Sequence, residues 1–95
     1  MKQNKAENKT QQQPEITFPR TWEFRMVVMA ERAVEAATVV DAIFATYPDA
    51  VLAAGEMSSS GKYIPFRISV EVESKAEVEQ LSAELAAVPG FKLML

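Results

Sequence analysis

The acidic residues of the C-terminal half are the first candidates for chemistry, because paired carboxylates can act as general acid and base. Glu71 and Glu73 fall on the polar side of an alternating segment, and Glu77 and Glu79 follow at the start of a helical pattern. Acid catalysis needs a carboxyl group whose pKa is raised by burial. All four glutamates occupy polar positions, so the sequence predicts a solvated charged surface here.

Nucleophilic and metal chemistry have few candidate residues. The 95-residue chain contains no Cys and no His, which excludes thiol nucleophiles, imidazole bases and Cys/His zinc sites. Ser58, Ser59 and Ser60 lack a neighbouring base and are typical of a turn. We therefore expect a protein that is not an enzyme, with no catalytic residue, no metal site and no cofactor.

A glycine-containing loop is the remaining candidate for ligand chemistry. Gly55 and Gly61-Lys62 approach the pattern GxxxxGK[ST], whose backbone amides hold phosphates. Here five residues separate the glycines instead of four, Tyr63 replaces Ser or Thr, and a strand pattern follows where a helix is required. The spacing therefore predicts a hairpin loop.

Charge and hydropathy restrict the partners. Ten Lys and Arg against thirteen Asp and Glu leave a net charge of −3, whereas nucleic-acid-binding domains usually carry a basic surface. No apolar run approaches the length of about 18 residues that a membrane span needs, and the N-terminus lacks an apolar signal-peptide core. We expect a cytoplasmic protein with no nucleic-acid partner and no membrane partner.

The N-terminal segment differs from the rest of the chain. Residues 1–15 (MKQNKAENKTQQQPE) have no large apolar residue after Met1, and their three Lys and two Glu give a charge of +1. Such a segment cannot bury enough apolar surface to fold. The sequence predicts a disordered polar tail over 1–15 and a single domain over 16–95, which carries the remaining charge of −4.

The first half of the domain reads as strand, helix, strand. Residues 20–29 alternate apolar and polar with the period of a strand. Residues 31–47 have apolar positions three and four apart, which predicts an amphipathic helix ending at Pro48; these are Val34, Ala37, Val40, Ile43, Phe44 and Tyr47. Residues 49–57 favour a short strand that enters a hairpin.

The second half repeats this order. Residues 62–73 alternate strongly, with Pro65 expected near the strand's start or at a bulge because proline donates no ladder hydrogen bond. Ser74 and Glu77 form a capping-box pattern. The helix that follows has apolar residues at Val78, Leu81, Leu85 and Val88 and stops at Pro89-Gly90, and residues 91–95 alternate again as a last strand.

The order βαββαβ predicts a ferredoxin-like α+β fold. Each helix has one apolar stripe, so we expect a two-layer sandwich with a four-stranded antiparallel sheet in the order 4-1-3-2 and both helices on one face. The opposite sheet face would stay open. Alternation places on it Glu23, Arg25, Val27, Tyr63, Arg67, Ser69, Glu71, Lys92 and Met94.

Other proteins of this topology depend on residues that this chain lacks. RNA-recognition domains stack bases on aromatic residues of the central strands, and only Tyr63 is offered here. Copper chaperones use paired cysteines. Acylphosphatases place a glycine-rich anion loop after the first strand, where this chain has Met29-Ala30-Glu31-Arg32.

From about Phe18 onward the sequence resembles the YbeD-like family of small uncharacterised bacterial proteins. The resemblance lies in the aromatic-rich segments Phe18-Pro19 and 22–27, the hairpin 58–63, the strand leading into Ser74, and the ending 91–95. It implies a ferredoxin-like fold similar to ACT regulatory domains, which bind amino acids at subunit interfaces. It implies no reaction, and the link to lipoate metabolism proposed for relatives has no counterpart in the residues of this chain.

The leading hypothesis is a non-catalytic regulatory or protein-interaction module whose partner is another protein or a second copy of itself. An apolar patch rimmed by charge often marks an interface. The expected contact residues on the open face and hairpin are Arg25, Val27, Ser59, Lys62, Tyr63, Arg67 and Met94. The alternative is that this face is simply solvated, with Arg25 or Arg67 pairing across strands with Glu71 or Glu23.

The second hypothesis is an ACT-like domain that senses an amino acid or a related acid. The ligand would lie between the end of the first strand and the first helix of paired subunits. Met29, Ala30, Glu31 and Arg32 would line this site. Helix N-terminal amides favour an anion there, whereas Glu31 opposes one.

Overall fold

The computed structural model describes residues 16–95, and the predicted tail over 1–15 lies outside the described residues. Four strands and two helices follow one another in the predicted order. A short 3-10 turn, Ala30–Arg32, joins the first strand to the first helix. The elements are β1 (Arg20–Met29), α1 (Ala33–Ile43), β2 (Val51–Ala54), β3 (Tyr63–Val72), α2 (Lys75–Leu85) and β4 (Phe91–Met94). Within the described residues, no helix is long and apolar enough to cross a membrane.

The strands form one antiparallel sheet in the order β2-β3-β1-β4. The central strands β1 and β3 pair along their full length, from Arg20 opposite Val72 to Met29 opposite Tyr63. This arrangement is the order 4-1-3-2, so the predicted ferredoxin-like α+β fold is confirmed.

A single apolar core lies between the sheet and both helices. The inward residues of β1 and β3 stand opposite one another, as Phe24 does with Ile68 and Met26 with Phe66. The helices supply the other half of this core, so both cover the same sheet face and leave the other open. Its buried members are Phe24, Met26, Val28, Ala36, Val40, Phe44, Phe66, Ile68, Val70, Val72, Val78, Leu81, Leu85 and Val88.

The apolar stripe of α1 differs from the prediction. Val34 is 82% exposed, whereas Ala36 is fully buried. The helix begins at Ala33 after the 3-10 turn, rather than at Glu31. Val34 and Ala36 both lie in this continuous helix. At 3.6 residues per turn, Val34 is about 120° around the helix from Val40, whereas Ala36 is about 40° from it. Val40 and Phe44 keep their predicted inward positions.

The start of α2 confirms the predicted cap. The Ser74 hydroxyl accepts a hydrogen bond from the Glu77 amide at 3.1 Å. In return, Glu77 Oε1 accepts from the Glu73 amide at 2.6 Å, one residue earlier than in the standard capping box. The second oxygen of Glu77 accepts from the Tyr47 hydroxyl at 2.5 Å. Glu77 therefore also links the start of α2 to the turn after α1.

The β4 strand contains a bulge that overturns one predicted contact residue. Phe91 pairs with Val28 and Leu93 pairs with Val27, so Lys92 is an extra residue between them. The bulge interrupts the alternation of side chains. Met94 consequently lies opposite Met26 and packs against the core, and its predicted place on the open face was wrong. Leu93, and not Met94, lies on the open face, where it is 41% exposed.

Candidate functional site

The open sheet face divides into a polar half and an apolar half. The polar half lies toward the start of β1 and contains Glu23, Ser69 and Glu71. The apolar half lies toward the hairpin between β2 and β3. Its members are Val27, Met29, Tyr63, Pro65, Leu93 and Leu95, which register and alternation place on the side away from the helices. The predicted positions of Val27 and Tyr63 on this face are confirmed.

Arg25 and Arg67 lie on the boundary between these halves and are directly opposite each other. Like charges at such positions destabilise a sheet. Arg67 Nε lies 3.1 Å from Glu23 Oε2, which confirms the predicted cross-strand pair. Among residues 16–95 the ion pairs are this one and Arg32–Glu35, so no carboxylate of the described chain is paired with Arg25.

A hollow adjoins the two arginines. It encloses about 170 Å³ and is lined by Arg25, Ala53, Ala54, Gly55, Pro65, Phe66, Arg67 and Leu95. Small residues keep it open, because a side chain at Gly55 would place its Cβ 2.7 Å from Cγ of Pro65. We call this cavity the arginine hollow.

Pro65 occupies the predicted place near the start of its strand. Its carbonyl accepts from the Gly55 amide at 2.8 Å, just beyond the last paired residue of β2. The N–H and C=O of one strand residue point to the same side. The missing proline N–H therefore faces a position where the ladder is already ending, and the edge tolerates it.

The hairpin is held by its serines. The Ser58 amide donates to the Tyr63 carbonyl and the Gly61 amide to the Ser58 carbonyl, both at 2.8 Å. Gly61 has a φ of +77°, a conformation that favours glycine. Ser59 and Lys62 are exposed on this loop, so the structure brings these two predicted residues beside Tyr63 but separates them from Arg25 and Arg67.

A second cavity connects the hairpin with the end of β1. It encloses about 370 Å³ and is lined by Met29, Glu31, Gly61, Lys62 and Tyr63. The Ala30 amide donates to the Lys62 carbonyl at 2.8 Å and so fixes the cavity wall. We call it the hairpin cavity. It carries one acidic and one basic side chain.

Of the predicted sensing residues, Met29 and Glu31 line the hairpin cavity, while Arg32 does not. The Arg32 guanidinium forms an ion pair with Glu35 on the surface of α1, which raises the pKa of Arg32. Its aliphatic stem lies against Gly90, where an added Cβ would come within 2.6 Å. Arg32 therefore does not contribute to the hairpin cavity, and its place in a ligand site between paired subunits stays a prediction.

Glu77, one of the glutamates considered for acid–base chemistry, is held by two hydrogen bonds in the structure. The Tyr47 hydroxyl and the Glu73 amide both donate to Glu77, and these hydrogen bonds lower the pKa of its carboxyl group. This is the opposite of what a general acid requires. The same contact raises the pKa of Tyr47 to about 12. Within residues 16–95 there is no cluster of three or more Asp or Glu that could hold a metal ion.

Sequence reasoning missed the contribution of β2 and of the chain end to the open face. Ala53 lies opposite Arg67, and the Leu95 amide donates to the Arg25 carbonyl at 2.8 Å. Ala53, Arg67, Arg25 and Leu95 thus form one row across the sheet. The spacing of small residues from Ala53 to Gly55 was the available signal, but it became meaningful only once the strand register was known.

The strand order and the shared helix face define this chain as a small ferredoxin-like domain. It belongs to the family described as Protein of unknown function (DUF493), whose model matches residues 13–95. This membership confirms the resemblance to the YbeD-like family.

Relatives of similar length support the assignment. The chain is 35% identical over 80 residues to a UPF0250 protein of Shewanella halifaxensis (strain HAW-EB4), covering 84% of this chain and 90% of the relative. A UPF0250 protein of Shewanella loihica is 34% identical with the same coverage. The solution structure of protein HP0495 from H. pylori matches with a TM-score of 0.71 at 18% identity, covering 87% of this chain and 88% of that one.

Proposed function

We propose that this protein is a non-catalytic interaction module of the cytoplasm, and that the apolar half of its open sheet face binds another protein. The observation that carries the proposal is the row of exposed apolar side chains beside two opposed arginines. Leu93 is 41% exposed and Leu95 is 68% exposed. Contiguous apolar surface of this kind, rimmed by charge, marks interaction sites more often than plain solvated faces.

The charge pattern favours an acidic partner surface over a second copy of this chain. Residues 16–95 carry a net charge of −4, so two copies repel each other overall. Around the apolar half the charged residues are mainly basic, namely Arg25, Arg67, Lys62 and Lys92. Lys92 Nζ lies 5.9 Å from the centre of the Tyr63 ring, which holds this cation at the rim.

The edge strand β2 extends the same surface. Val51 and Ala53 pair with Ser69 and Arg67, and the Gly55 amide bonds to β3. Because backbone groups alternate in direction along a strand, those of Leu52 and Ala54 point away from the sheet. β2 carries no charge and no proline, two features that usually protect an edge. A partner segment can therefore add hydrogen bonds at this edge.

The test compares two glutamate substitutions at exposed apolar residues. Leu93→Glu places a charge in the apolar half, whereas Val34→Glu places it on α1, 82% exposed and away from the open face. Crosslinking in the source cells should recover the same partner with the wild type and with Val34→Glu. It should fail with Leu93→Glu, while circular dichroism shows both variants folded. Equal recovery with all three proteins would contradict the proposal, and a concentration series by sedimentation separates self-association from a different partner.

A second candidate function is ACT-like sensing of an α-amino acid, and the hairpin cavity favours it. Lys62 offers a positive charge to a carboxylate and Glu31 a negative charge to an ammonium group across a cavity of about 370 Å³. Thermal-shift screening against amino acids and related acids tests this function. A ligand at a hundred times its Kd should add about 2.7 kcal/mol of stability.

Lys62→Gln should abolish any such thermal shift, whereas Lys75→Gln, an equal change of charge at the start of α2, should leave it intact. A panel that gives no stabilisation, or a shift that survives Lys62→Gln, contradicts the sensing function. Neither result decides the open-face proposal, because that proposal is tested at Leu93, which does not line the hairpin cavity.

A further inference from the structure

We propose that the arginine hollow binds a single carboxylate, presented as an aspartate or glutamate side chain by the partner protein. This inference rests on the proposed interaction function and names the chemical group that the open face recognises. The site lies where Arg25 and Arg67 stand opposite each other in the sheet and only Arg67 is paired with a carboxylate of the described residues.

The first argument is the charge balance of the open face. Arg25 and Arg67 are in register across β1 and β3, and Glu23 pairs with Arg67 at 3.1 Å. Among residues 16–95 no carboxylate is paired with Arg25. The side chains of Arg25, Arg67 and Glu23 therefore carry a net charge of +1, which attracts an anionic group.

The second argument is the shape of the cavity. The hollow encloses about 170 Å³, which is enough for a glutamate or aspartate side chain. Ala53, Pro65 and Leu95 offer apolar contacts to the methylene groups of such a side chain, and the guanidinium groups can donate charge-assisted hydrogen bonds to its carboxylate.

The third argument is access from the edge of the sheet. Ala53 is the neighbour of Arg67 on the edge strand β2, and its methyl group leaves the approach open. A segment lying along β2 can therefore pass a carboxylate side chain over Ala53 to Arg67. The guanidinium of Arg67 is reachable, since its side chain is 62% exposed.

Titration of the isotope-labelled full chain by NMR tests the inference. The probe is the acetylated and amidated peptide Ala-Ala-Glu-Ala-Ala, and the matched control peptide carries Gln in place of Glu. The glutamate peptide should shift the resonances of Arg25, Ala53, Gly55 and Arg67 with a Kd on the order of 1 mM. The Gln peptide should leave them in place.

Variants of the hollow give the expected magnitudes. Arg25→Gln and Arg67→Gln should each raise the Kd of the glutamate peptide at least about tenfold, because each removes a charge-assisted hydrogen bond. Lys75→Gln on α2 should leave the affinity unchanged. Gly55→Ala retains both arginines but narrows the hollow against Pro65, and it should weaken binding as well.

Several results would overturn the inference. Equal shifts with the Gln peptide would show that the charge is irrelevant, and tighter binding of inorganic phosphate would show that the site prefers a dianion. Acetate binding as tightly as the peptide would assign the hollow to a small acid in place of a protein side chain. If Leu93→Glu abolishes partner capture while Arg25→Gln does not, this inference fails and the proposed function stands. If neither substitution abolishes partner capture, both this inference and the proposed function fail.

Discussion

The hydrogen bond between Tyr47 and Glu77 offers a sharp test of how the two helices are held together. The Tyr47 hydroxyl donates to Glu77 Oε2 at 2.5 Å, and the other oxygen of Glu77 is committed to the Glu73 amide at the start of α2. Tyr47→Phe removes this hydroxyl and leaves the ring, whose edge packs on Phe44 with centroids 5.5 Å apart. The substitution therefore isolates one polar contact.

The expected cost follows from the type of bond and its exposure. A hydrogen bond to a charged group contributes roughly 1.5 to 3 kcal/mol. Both side chains are only partly buried, so water competes for the carboxylate and we expect about 1 kcal/mol at neutral pH. In a domain of this size, that loss lowers Tm by about 4 to 8 °C.

The cost of Tyr47→Phe should become smaller at both acidic and alkaline pH. The pKa of Glu77 is lowered in the folded state, so its contribution is present above its unfolded pKa and disappears as the pH falls through the folded value. The pKa of Tyr47 is raised from 10.0 to about 12. Its contribution is complete below pH 10.0 and is lost as the pH rises through about 12. The difference in the free energy of unfolding between wild type and Tyr47→Phe should therefore be constant around neutral pH and decrease at low and at high pH.

Urea unfolding followed by the fluorescence of Trp22 measures this difference across pH. Tyr63→Phe is the matched control, because its ring lies on the open face and its hydroxyl has no hydrogen-bond partner within residues 16–95. Tyr63→Phe should stay within about 0.5 kcal/mol of wild type. A Tyr47→Phe penalty that stays constant from acidic to alkaline pH, or no penalty at all, would refute the reasoning.

Two further predictions concern the backbone and the core. Gly90→Ala should destabilise the protein by at least about 1 kcal/mol more than Gly61→Ala in urea unfolding. Both glycines have a positive φ, but only at Gly90 does the new Cβ come within 2.6 Å of Arg32 Cβ. Equal losses of stability would contradict this prediction. Leu85→Ala should cost about 2 to 5 kcal/mol and Val34→Ala less than about 0.5 kcal/mol, measured by calorimetry. A large loss at Val34 would refute the position of that residue on the solvent side of α1.

The elements whose patterns are long and regular could be predicted from the sequence. The alternation over 62–73 placed Phe66 and Val70 in the core, and the Ser74 cap located the start of α2, because a side-chain period and a capping hydroxyl are local properties. Val34 and Met94 were placed on the wrong sides. Met94 changed sides because a bulge in β4 shifted the alternation of side chains. Val34 lies about 120° around α1 from Val40, because a repeated spacing of three residues drifts away from the buried stripe of a helix with 3.6 residues per turn.

The candidate site was predictable only in part for a related reason. The sequence by itself determined the topology, the open face and the central positions of Arg25 and Arg67, since these follow from periodicity within each strand. Tertiary structure decided that the two arginines stand directly opposite each other and that Ala53, Gly55 and Pro65 leave a hollow beside them. Register and side-chain pairing join residues far apart in the chain, and their energies exist only once the strands have come together.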